Sequence, residues 1–167
     1  MSVKSTTDNL GLIKYSRGHS VRDTDLATNM DAIDAAYQCG VKVAKGDITG
    51  GAANAFAFAW NNPESTAILV QKVIIDITTA GGTATSVMDV GVAASATGTD
   101  DTIFDGIDLN STGISVNTNV SDTGTNGDEK VHKVDENGGT NDWITGKILV
   151  EKCDNLVGKY YIEYVTV

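Results

Sequence analysis

The sequence predicts a mainly β protein, a jelly-roll-like β-sandwich with an N-terminal arm and one short amphipathic α-helix. Three observations carry that prediction. Apolar residues alternate with period two over several stretches beyond residue 41. Turn signals recur every eight to twelve residues or so, without alternating helices. The composition suits strands and turns, with 20 Thr, 18 Gly and a single Pro in 167 residues. An immunoglobulin-like topology is the second choice, and strand order is left open.

Taken in order, residues 1–19 are polar around one apolar patch, Leu10-Gly11-Leu12-Ile13, and read as an arm ordered only when something holds it. Ser20-Val21-Arg22-Asp23 fits a helix-capping pattern, a serine followed three residues later by an acid. Behind it Leu26, Met30, Ile33 and Tyr37 recur at spacings of four, three and four, which predicts one helix over about residues 21–38, stopped at Gly40. A single helix cannot bury such a stripe by itself, so the four residues are expected to pack on the body or on another subunit.

The period then changes to two. Val41–Lys45 alternates, and Gly46–Gly51 reads as a hairpin turn. Phe56, Phe58 and Trp60 fall on one face of a strand with alanines opposite. Residues 67–78 form the longest strand candidate. Leu69, Val73, Ile75 and Ile77 share one face; Ile68, Val70, Lys72, Ile74 and Asp76 share the other. Met88, Val90 and Val92 point inward from the next strand, and residues 94–142 are turn-dense and acidic with short strand seeds. Two strong strands follow. Ile144, Ile148 and Val150 share a face of one; Tyr160, Ile162 and Tyr164 share a face of the other. Residues 1–40 therefore form an arm-and-helix unit, and 41–167 the sandwich.

Charge narrows the function. Twelve basic residues against 22 acidic ones give a net charge of −10. A nucleic-acid binder needs a basic face to displace counterions, and an anionic membrane surface attracts basic segments, so neither partner is expected. The excess is uneven: residues 1–60 are neutral, and 61–167 hold sixteen acids against six bases. A neutral head on an acidic body suggests docking by the head and solvation of the body. No apolar run approaches 18 residues, and Met1–Asp8 lacks the apolar stretch of a secretory signal, so synthesis in a cytoplasm is expected.

Reactive constellations are sparse. His19 and His132 have no partner at metal-ligand spacing, and Cys39 and Cys153 read as free thiols rather than nucleophiles. Phosphate-binding loops are missing. Acids cluster at Asp100, Asp101, Asp105 and Asp108, again at Asp122, Asp128 and Glu129, and at Asp135, Glu136 and Asp142. A glycosidase would need paired carboxylates in an aromatic-lined cleft, which the pattern does not offer. Asp122–Glu129 is part of a calcium-loop pattern, but Lys133 stands where the bidentate glutamate belongs. The chain is read as a non-enzyme with no cofactor.

Several stretches together, LATNMDAIDAAY (26–37), FAFAWNNP (56–63), VQKVIIDITTAGG (70–82), Met88-Asp89-Val90-Gly91 and GKYYIEY (158–164), resemble small structural proteins of tailed bacteriophages. The class is that of capsid decoration (cement) or head-fibre-type proteins, and the resemblance covers about two-thirds of the chain. It implies a virion structural protein on the capsid exterior, made in the host cytoplasm. Its implied partners are the major capsid protein and its own copies, as a homotrimer. Within that reading Lys14, Tyr15, Arg17, His19 and Arg22 form the basic-aromatic cluster expected to dock on an acidic shell. Leu26, Met30, Ile33 and Tyr37 supply helix packing. The competing expectation is a receptor- or carbohydrate-binding β module of a phage fibre, with recognition in the loops at 94–106, 117–129 and 135–142.

Overall fold

The computed structural model describes residues 5–6, 13–14, 23–38, 40–83 and 85–167. The chain divides into two compact units, Met1–Gly40 and Val41–Val167. The first contains a short antiparallel pair, β1 (Ser5–Thr6) with β2 (Ile13–Lys14), and the helix α1 (Asp23–Gln38). Leu26, Met30 and Ile33 lie on α1 and are 55, 52 and 44% exposed.

The second unit is a sandwich of two antiparallel sheets, as the alternation predicts. Its strands are β3 (Lys42–Thr49), β4 (Phe56–Asn61), β5 (Ile68–Thr79), β6 (Val87–Ala93), β7 (Phe104–Asp108), β8 (Gly113–Val116), β9 (His132–Val134), β10 (Trp143–Leu149) and β11 (Val157–Thr166). A four-stranded sheet runs β4-β10-β6-β7. A five-stranded sheet runs β3-β11-β5-β8, with β9 also paired to β5. The core joins inward residues of both sheets, among them Val73, Ile75, Tyr160 and Ile162 from one and Phe58, Met88, Val90 and Ile144 from the other. Across it the Phe58 ring stacks on Tyr160 at 4.5 Å and Trp60 meets Tyr164 at 5.5 Å. Such aromatic pairs add specific attraction beyond the area they bury.

The structure corrects four points of the alternation. In β5 the inward residues are Ile68, Val70, Val73, Ile75 and Ile77, so Leu69 leaves the face predicted for it and Ile68 and Val70 enter. The cause is a bulge at Gln71: Glu163 pairs Lys72 and Tyr164 pairs Val70, which reverses the parity of everything before it. A second bulge lies at Ala57 in β4, because Gly146 pairs Phe58 and Lys147 pairs Phe56. Ala57 thereby turns inward at 3% exposure, while Phe56 leaves the face of Phe58 and Trp60 and lies 6.0 Å beneath the Lys147 ammonium. Val150 ends outside the core, 65% exposed, because the backbone there adopts φ +67° and the strand stops at Leu149. Finally, residues 46–49 continue β3 rather than turn. Ile48 is fully buried, and the turn begins at Gly50.

The edge of β5 shows how the bulge is accommodated. β9 pairs Ile68–Val70 and β8 pairs Ile74–Ile77, leaving a gap between them. Asn117 fills it. Its Oδ1 accepts the Val73 N–H at 2.7 Å, and its own N–H donates to the Val73 carbonyl at 3.1 Å. The residue is fully buried, so this side chain replaces a missing strand partner for a backbone that has no access to water. A single helical turn, α2 (Val120–Thr123), follows within the segment read as loop, capped by Asn119, whose side chain accepts the Ser121 N–H.

Candidate functional site

Lys14 lies on β2, and nothing of its side chain is described; Tyr15, Arg17, His19 and Arg22 lie outside the described residues. Of the helix-packing set, Leu26, Met30 and Ile33 form a half-exposed apolar row along α1, whereas the Tyr37 side chain lies outside the described residues. Their spacing alternates four and three, the repeat that keeps a seam on one side of a helix. The helix carries four aspartates and no basic residue. Its chemistry is therefore a narrow apolar band within an acidic surface, suited to burial against another apolar surface.

The acidic clusters are rearranged by the fold. Register between β6 and β7 opposes Val90 to Phe104 and Met88 to Ile107. This brings Asp89 beside Asp105 and Asp101, and the three carboxylates offer oxygens within 4.8 Å of one another. Each already accepts protein donors. Asp89 Oδ1 accepts the Gly106 N–H at 2.9 Å, Asp105 Oδ2 the Asn126 N–H at 3.0 Å, and Asp101 Oδ2 the Asn126 side-chain amide at 2.9 Å. Partial burial pushes the Asp89 carboxyl above its ordinary range, and the charges of Asp105 and Asp101 push the same way, against the Gly106 N–H. An all-oxygen set of this kind has the ligand chemistry of a hard cation site.

The other predicted acids do not join it. Asp100 accepts the Thr102 N–H, and Asp108 is held below its ordinary range by the Asn110 N–H and the Ser111 hydroxyl. Of the calcium-loop pattern, Asp122 accepts the Val116 N–H at 2.9 Å, while Asp128 engages Lys130 and lies 3.2 Å from His132 Nε2. Those carboxylates are spent on fixing loop backbone. Asp89 is the member sequence reasoning missed. It sits in an apolar strand twelve residues before Asp101, and only the β6–β7 register reveals its neighbours.

Cys153 is fully buried, and burial pushes its thiol up, which disfavours the nucleophilic thiolate. At the β3 end of the sandwich Glu64 Oε1 accepts both the Lys42 ammonium at 2.9 Å and the Tyr164 hydroxyl at 3.1 Å. Burial first, then that bond, pushes the Tyr164 phenol up to about 12.

No family model matches the chain, and no curated protein does. Among solved structures it is similar to a chain of the capsid of Ralstonia phage GP4, at 16% identity and a TM-score of 0.48, covering 77% of this chain and 85% of that one.

Proposed function

We propose that this is a non-enzymatic virion structural protein that attaches to the outer surface of a phage capsid through its N-terminal unit and reinforces or decorates it. The observation that carries the reading is the half-exposed row Leu26, Met30 and Ile33 on α1. A helix of this length gains most of its stability from burying such a row, so a partner surface is required. The resemblance of the sequence to capsid decoration and head-fibre-type proteins supplies the partners: the major capsid protein, and other copies meeting along α1 as a homotrimer. Lys14, Tyr15, Arg17, His19 and Arg22 contribute docking contacts on an acidic shell. The acidic sandwich faces solvent. Each copy binds weakly, and attachment becomes firm because linked copies raise one another's effective concentration.

The test is co-sedimentation with capsids of the cognate phage, together with the heat resistance of the decorated heads. Deleting residues 1–20, or introducing Leu26→Glu with Ile33→Glu, should release the protein from heads and abolish the added resistance. If both variants bound heads and protected them as the wild-type protein does, the reading would be wrong.

A further inference from the structure

We propose that the outer face of the five-stranded sheet is a contact surface for the same face of a second copy of this chain. Tyr161 on β11 lies directly opposite Ile74 on β5, and both side chains point away from the core, as the buried neighbours Tyr160, Ile162, Val73 and Ile75 require. One step along the strands on one side of this apolar pair stand Glu163 and Lys72; one step on the other side stand Lys159 and Asp76. Reading down β11 the signs run negative, apolar, positive. Reading down β5 they run positive, apolar, negative.

This checkerboard is complementary to itself. A twofold axis lying in the face and parallel to the strands sets Glu163 over the other copy's Lys72 and Lys159 over its Asp76. A twofold axis perpendicular to the strands sets Glu163 over Lys159 and Lys72 over Asp76. In both arrangements each of these four central charges meets its opposite, and the Tyr161–Ile74 pair meets its own counterpart. That is the requirement for an isologous contact. Within one copy the charges are already held in place, with Lys72 Nζ 3.0 Å from Glu163 and Lys159 Nζ 2.7 Å from Asp47.

The apolar centre extends outward. Val116 pairs Ile74, and Ile114, 64% exposed, pairs Asp76 on the flank. At the opposite edge of the sheet Val43, 59% exposed, pairs Glu163. Including Lys45 and Asp47 of β3 and Lys133 of β9, the face carries four lysines and three acids and so has no excess of negative charge, within a chain of net charge −10. The Asp89–Asp101–Asp105 group belongs to the other sheet. Two acidic sandwiches can therefore approach on this side without the repulsion they meet elsewhere. Sheets stacked this way pack about 10 Å apart with their strands nearly aligned.

The contact requires no capsid, so the full chain in solution should form it. Sedimentation equilibrium over a wide concentration range compares wild type with Ile114→Glu plus Val43→Glu, both exposed positions whose change leaves the core intact. Val150→Glu, at the exposed turn just beyond β10 of the other sheet, serves as control. A Leu26→Glu plus Ile33→Glu background separates this contact from association along α1. The expected result, in that background, is reversible pairing that the face variant weakens roughly tenfold or more, since each new carboxylate is buried without a partner. The control should pair as before. A monomer at every concentration in that background, or pairing unaffected by the face variant, would overturn the proposal.

Discussion

Replacing Asn117 with alanine should be among the most damaging single polar substitutions in the sandwich. The side chain is fully buried and its Oδ1 is the acceptor for the Val73 N–H at 2.7 Å, in the gap along the β5 edge between the residues paired by β9 and those paired by β8. Alanine leaves that N–H buried without an acceptor, a loss of about 1–3 kcal/mol. The second bond of the site, Asn117 N–H to the Val73 carbonyl, is made by backbone and survives. The Nδ2 group makes no hydrogen bond, so its removal subtracts little. For a unit of this size each kcal/mol corresponds to about 3–6 °C in melting temperature. Chemical denaturation should show a lower midpoint with an unchanged slope, and hydrogen exchange should show faster exchange at the Val73 amide. A loss under about 0.5 kcal/mol, with Val73 still protected, would refute the idea that Asn117 stands in for a strand.

Two further predictions test the aromatic layer. A Cβ at Gly146 would collide with the Phe58 ring and press on the Met88 sulfur at 3.1 Å, so Gly146→Ala should cost about 1–3 kcal/mol by overpacking and alter the near-ultraviolet dichroism of the Phe58–Tyr160 stack; unchanged stability would show that the ring moves freely. The Tyr164 phenol, pushed up to about 12, ionises later in the folded chain than in the unfolded one. The unfolded state therefore loses its proton first, and stability should fall as pH rises from about 10 toward 12. Tyr164→Phe should flatten that fall, as read from melting curves across the range.

Much of the sandwich was legible because strand faces are written in period two. β11 carries Tyr160, Ile162 and Tyr164 inward as its alternation requires, and β6 does the same with Met88 and Val90. The misassigned faces all sit next to an interruption of that period. Gln71 and Ala57 are ordinary residues with no local sign of a bulge, because the extra residue is dictated by the partner strand and not by the bulged one. Val150 fails for a different reason: β-branched residues rarely take positive φ, so its sequence argued for strand where the chain turns. The carboxylate group was half visible. Asp101 and Asp105 are near in sequence, but Asp89 reaches them only through the pairing of β6 with β7, and pairing partners are not encoded locally. Asn117 was hidden in the same way, since its role depends on a gap between two other strands.

The placement of β11 between β3 and β5 bears on how the chain is made. Val43 on β3 waits for Glu163, about 120 residues downstream, before its strand acquires a neighbour. In the other sheet β4 waits likewise for β10. As the ribosome delivers the polypeptide, two early strands with uncommitted edges emerge long before the segments that seal them. Closing such distant pairs is slow, and the half-built product is prone to stick to other nascent chains. A cell producing many copies would have to shelter this intermediate until the late strands arrive, and a frameshift or stop just upstream of Val157 would release a body lacking the centre of one whole layer.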